Sequence, residues 1–148
     1  MSKTKKVGKI KSIIEQNVPG IGMETYKNLY NAAENRNVNA QFKLALSYHS
    51  GKETELNLKK AFYWYQKAAE NGYNAAQYIL ITLYKEGKGT EKNLEKSFYW
   101  CQRVAENGIK EAQCKLALSY QNGEGTEKNL EKAFYWYQKA AKNGCIEA

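Results

Sequence analysis

The chain has 148 residues and a net charge of +8 at pH 7, with 43% hydrophobic and 26% charged residues, a balance that suits one domain able to bury a core. It holds one histidine (His49), one proline (Pro19), three cysteines and no aspartate, so all fifteen acids are glutamate. That inventory excludes a Ser-His-Asp triad, an aspartic dyad, a histidine-rich metal site and an EF-hand, and no apolar run approaches the ~18–20 residues of a membrane span.

In chain order, residues 1–23 form a basic N-terminal extension. Lys3, Lys5, Lys6, Lys9 and Lys11 face a single acid there, Glu15, so this arm holds half of the net charge. The expected role is a solubilising arm; binding of nucleic acid or an anionic surface is the alternative. The arm has no apolar stretch of secretory type and no arginine of the mitochondrial type. Cys101, Cys114 and Cys145 show no metal-ligand spacing. They read as substitutions at packing positions in a reducing compartment, so a cytoplasmic location is expected, with nucleus and mitochondrion left open.

From residue 24 the chain repeats itself. GTEKNLEK stands at 89–96 and again at 125–132, a step of 36 residues; FYWYQKAA stands at 62–69 and 134–141, with FYWCQRVA between them at 98–105. The step aligns Ala40, Ala76 and Ala112; Leu44, Leu80 and Leu116; Tyr48, Tyr84 and Tyr120; Trp64, Trp100 and Trp136. The predicted layout is a half repeat at 24–37 (a second helix only), full repeats at 38–73, 74–109 and 110–145, and the start of a further repeat at 146–148.

Each full repeat reads as two helices. Residues such as Ala40, Leu44 and Tyr48, four apart, share one face of a first helix. It ends at Gly51, Gly87 or Gly123, residues suited to the left-handed conformation after a helix. Asn57, Asn93 and Asn129 are placed to cap a second helix, and Glu95 and Glu131 suit its positive end. That second helix carries a broad apolar stripe including Phe62, Trp64, Tyr65, Ala68 and Ala69. No strand pattern occurs. A hairpin of this kind cannot bury its face alone, so the expected fold is all-α, a right-handed α-solenoid of antiparallel helix pairs.

Spacing and residue types resemble the Sel-1-like repeat, a relative of the tetratricopeptide repeat with a unit of about 36 residues. The third repeat supplies Ala112, Leu116, Tyr120, Gly123, Gly125, Asn129, Lys132, Ala133, Trp136, Tyr137, Lys139, Ala140, Ala141 and Gly144. The family's loop aspartate is asparagine here (Asn57, Asn93, Asn129), and its second loop glycine is Glu53 in the first repeat, where another turn is expected. Cysteines do not recur per repeat, which sets the chain apart from cysteine-rich members.

The resemblance implies a non-catalytic protein–protein interaction scaffold or adaptor, with no enzyme activity, cofactor or metal. By analogy with related solenoids, first helices line the concave side and present Asn39, Lys43, Leu46 and Ser50; Ala75, Ile79, Thr82 and Glu86; and Glu111, Lys115, Leu118 and Asn122. This set suits a protein or peptide partner that is acidic or amphipathic. Leu46 and Leu118 could instead pack against the preceding repeat. Tyr63, Tyr99 and Tyr135 are expected to be partly buried between second helices, an exposed ladder being the alternative. His49, replaced by Lys85 and Gln121 in the other repeats, is expected at the surface. The last second helix should leave Phe134, Trp136 and Tyr137 partly uncovered, which allows self-association through that end.

Overall fold

A computed structural model of the chain describes residues 23–51 and 56–144. The N-terminal arm, the loop around Glu53, Cys145 and residues 146–148 lie outside that range, as do the expectations placed on them. The chain divides into two compact units, Met1–Tyr73 and Asn74–Ala148. The described residues hold seven α-helices and no strand.

The first unit contains α1 (Met23–Glu34), α2 (Val38–Ser50) and α3 (Leu58–Glu70); the second contains α4 (Asn74–Glu86), α5 (Leu94–Glu106), α6 (Lys110–Asn122) and α7 (Leu130–Lys142). Within each unit consecutive helices pack on one another: α1 on α2 and α2 on α3, then α4 on α5, α5 on α6 and α6 on α7. The pairs run antiparallel. The start of α3 meets the end of α2 where Asn57 N–H donates to the Tyr48 carbonyl (3.0 Å), and the end of α3 meets the start of α2 where Asn71 Nδ2 donates to Gln41 Oε1 (3.1 Å).

Local chemistry sets the helix ends as the sequence predicts. Asn57, Asn93 and Asn129 sit in extended backbone and accept from the N–H of Lys60, Lys96 and Lys132 at 3.0–3.1 Å, satisfying donors that have no partner inside the helix. The same three lysines fold their ammonium groups over the rings of Tyr48, Tyr84 and Tyr120, 5.4–5.7 Å from the centroids. The backbone N–H of each capping asparagine in turn donates to the carbonyl of that tyrosine, which pins the loop. One loop glycine is required by space. Gly125 has φ +72° and its backbone presses on the Leu94 carbonyl and Phe98, so a Cβ there would collide with α5. Arg36 stands one repeat step before Gly72 and takes the left-handed conformation without a glycine (φ +65°).

The core follows the 36-residue ladders. Leu44, Leu80 and Leu116 are fully buried, and so are Ala45, Ala68, Ala76, Ala112 and Ala117 around them. Each such leucine contributes roughly 1.5–3 kcal/mol by leaving water. Three glutamines, Gln41, Gln77 and Gln113, are buried among these apolar residues. Gln41 Nε2 donates to the Ala33 carbonyl at the end of α1 (3.0 Å), while its oxygen takes the Asn71 amide at the end of α3. Gln113 repeats the arrangement in the second unit, donating to the Ala105 carbonyl (3.1 Å) and accepting from Asn143 (2.9 Å). Each relay ties three helix ends together and pays the desolvation cost of a buried amide.

Candidate functional site

The twelve residues expected on the first-helix face all lie outside the buried core. Asn39, Lys43, Leu46 and Ser50 are exposed on α2, Ala75 and Glu86 on α4, and Glu111, Leu118 and Asn122 on α6; Ile79, Thr82 and Lys115 are half-buried. Leu118 keeps 41% of its surface in water and Leu46 is similar, so neither is packed away as the alternative reading had it. Glu86 is held by Lys88 at 2.8 Å, and that hydrogen bond lowers its carboxyl below the usual range.

Within the second unit the structure brings three of these residues together. Thr82 from α4 and Lys115 and Leu118 from α6 line one cavity of about 90 Å³ over α5, whose Ser97, Phe98 and Cys101 also contribute. Lys85 from α4 and Glu124 from the loop after α6 form an ion pair at 3.6 Å beside it. Lys115 also places its ammonium 5.8 Å from the centroid of Tyr78. The Tyr78 hydroxyl titrates above its ordinary value, first because of burial and then because of Glu111. The other members of the set occupy the same helices without lining that cavity.

Burial pushes the Cys101 thiol up to about 12, although Lys115 and Lys85 pull it back, so at neutral pH it is a protonated thiol. Its Sγ donates to the Ala112 carbonyl at 3.3 Å. Among the described residues no group of three His, Cys, Asp or Glu side chains could hold a metal ion, and no helix is long and apolar enough to cross a membrane. The arrangement offers contact chemistry: an apolar floor, hydroxyls, and two ammonium groups beside one carboxylate.

Other positions bear on the sequence expectation. Tyr63, Tyr99 and Tyr135 are 49%, 50% and 52% exposed, so about half of each side chain stands in water. Each ring meets the following tryptophan edge-on and lies under the cation four residues later, Lys67, Arg103 or Lys139. One helical turn places that cation above the ring, so the phenol is satisfied at the surface. His49 is half-buried, with Nδ1 2.9 Å from the Tyr65 hydroxyl, which corrects its placement as a plain surface residue. Cys114 is half-buried and disulfide-bonded while Cys101 is free. Reading Cys114 as a packing substitution is therefore corrected, and the cysteines no longer argue for a reducing compartment. The buried glutamines were missed altogether, although their recurrence at 41, 77 and 113 is a visible signal.

No curated protein matches the chain. Solved structures do. A Sel1 repeat protein from Oxalobacter formigenes is 35% identical over 84% of this chain and 94% of its own, with a TM-score of 0.73. The protective antigen c5321 of uropathogenic Escherichia coli strains, which displays an SLR fold, is 31% identical over 80% of this chain (TM-score 0.73), and the chain spans only 26% of its length. Cysteine rich protein B of Helicobacter pylori, 24% identical over 82% of this chain and 92% of its own, shares the fold with a TM-score of 0.62. The Sel1 repeat model matches residues 38–73, 74–109 and 110–145. With the ladders, caps and helix pairs seen in both units, that match makes the chain a member of the Sel1 repeat family.

Proposed function

We propose that the chain is a non-catalytic scaffold that holds an acidic or amphipathic segment of a partner protein on first-helix surfaces, foremost that of α4 and α6 in the second unit. Sel1 repeat proteins are generally protein-interaction scaffolds. The observation that carries the reading is the groove of the second unit, where Thr82, Lys115 and Leu118 line one cavity and Lys85 stands at its edge. Apolar floor and cationic rim are the complement of a segment that alternates apolar and acidic side chains. On α2 of the first unit, Lys43 and Leu46 present the same pair of chemistries.

The test is selection of peptides from a random display library against the full chain, followed by titration of the selected peptides into variants. Enrichment of glutamate and aspartate around apolar positions is expected. Lys115→Glu should weaken those peptides by about tenfold or more, since it turns attraction into repulsion at a partly desolvated site. Selected peptides whose affinity is untouched by Lys43→Glu and by Lys115→Glu would overturn the proposal.

A further inference from the structure

Residues 65, 101 and 137 are equivalent at the 36-residue step, and tyrosine stands at two of them while Cys101 stands in the middle. Where the tyrosine is present, its phenol reaches the residue sixteen positions earlier, on the first helix of its own hairpin. The Tyr65 hydroxyl lies 2.9 Å from His49 Nδ1, and the Tyr137 hydroxyl donates to Gln121 Oε1 at 2.8 Å. A thiol is too short to make that reach. Cys101 turns to the Ala112 carbonyl instead, and Lys85, the residue sixteen positions before it, pairs with Glu124.

What remains is the cavity of about 90 Å³ bounded by Cys101, Ile81, Phe98, Lys85 and Lys115. A single water needs roughly 10–15 Å³ of such space, so the cavity has room for a side chain. Ile81, Leu94, Phe98 and Leu118 form the apolar part of its lining, and the Phe98 ring favours an aromatic guest through edge and offset contacts. Its lining carries two lysines and one glutamate, Glu124, which pairs with Lys85, and the Glu86–Lys88 ion pair stands nearby, so the excess charge is positive. Ser97 does not offer its proton to a guest, since its hydroxyl donates to the Ile81 carbonyl at 2.7 Å.

We propose that the Cys101 cavity is an anchor pocket that accepts one aromatic side chain of a bound acidic peptide, whose neighbouring carboxylates meet Lys115 and Lys85. The inference rests on the groove proposed above and narrows its occupant from any acidic or amphipathic segment to one with an aromatic anchor. The middle repeat has given up its own tyrosine, and the partner supplies the ring. Buried aromatic anchors carry most of the energy of an interface of this kind.

The experiment titrates two synthetic peptides into the full chain, one with a tyrosine flanked by glutamates and one with alanine in its place, followed by amide NMR shifts. The tyrosine peptide should shift the amides of Ser97, Cys101 and Lys115, and bind about tenfold or more tightly than the alanine peptide. Cys101→Tyr rebuilds the residue of the sister repeats and fills the pocket; it should abolish the preference between the two peptides while helix content by circular dichroism holds. Cys101→Ala leaves the pocket open and should keep the preference, whether or not the tyrosine variant folds. Equal binding of the two peptides at the α4–α6 face, or a preference that survives in folded Cys101→Tyr, overturns the anchor pocket and leaves the groove standing. Shifts confined to residues outside α4, α5 and α6 overturn both.

Discussion

Helix α5 reads LEKSFYWCQRVAE and helix α7 reads LEKAFYWYQKAAK, and both begin at an asparagine cap with the same geometry. Among the described residues, helix α5 packs against both α4 and α6, whereas the main packing of α7 is against α6. The consequence runs along the whole stripe. Trp100 is 8% exposed and Val104 and Ala105 are buried, whereas Trp136 is half-buried, Ala141 is exposed and Phe134 keeps 64% of its surface in water. The positions shut in both helices, Ser97 and Val104 in α5 and Ala133 and Ala140 in α7, include the side turned to the first helix of the same hairpin, where Ser97 donates to the Ile81 carbonyl of α4. The apolar pattern states which residues are able to be buried. How many of them are buried depends on whether a helix lies on each side.

The comparison breaks most sharply at the tryptophans. Trp100→Ala should cost about 3–5 kcal/mol, since it removes a large ring from a closed site and leaves a cavity. Trp136→Ala should cost about half of that or less, because water already covers part of the ring. Urea denaturation followed by circular dichroism measures both. Equal losses would mean that burial within the second unit does not follow the flanking helices.

A smaller effect sharpens the same contrast. Gln113 serves both helices, donating to the Ala105 carbonyl at the end of α5 and accepting from Asn143 just past α7. Gln113→Ala leaves a carbonyl near the closed side without its second donor and should cost about 1–3 kcal/mol. Asn143→Ala removes only the exposed half of the relay, where water replaces the amide, and should cost well under that. If the two variants lose the same stability in urea, the buried half of the relay is not the stronger one.

How far the sequence reading reached follows the range of each interaction. Asn93, Gly87 and the Ala76–Leu80–Tyr84 face are legible because a cap, a left-handed turn and a helical face are settled within about four residues. The Gln113–Asn143 relay spans thirty residues and joins two polar side chains, which in isolation read as surface. Tyr99 is expected to be partly buried; half of it stands in water, where Arg103 one turn later donates to its hydroxyl at 3.0 Å. The site shows the same limit. Helical phase places Thr82, Lys115 and Leu118 off the core, but their meeting at one cavity, which Cys101 also lines, is a matter of three helices packed together. The change at position 101 was visible as a departure from the period; the cavity it lines was not.

The smallest predicted effect asks whether the difference between α5 and α7 reaches their first turns. Asn93 and Asn129 each accept from the third residue of their helix at 3.0 Å, and each donates its own N–H to a tyrosine carbonyl at 2.8 Å. Lys96 and Lys132 cover the matching rings in both copies. Since these contacts lie within the hairpin itself, the difference in packing between α5 and α7 does not touch them. Asn93→Ala and Asn129→Ala should therefore each cost about 1 kcal/mol, and aspartate at either position should restore most of it. Equal losses in urea would confine the contrast to the stripe beyond the cap. A clearly smaller loss at Asn129 would mean that α7 frays at its start, and that the difference from α5 reaches the whole helix.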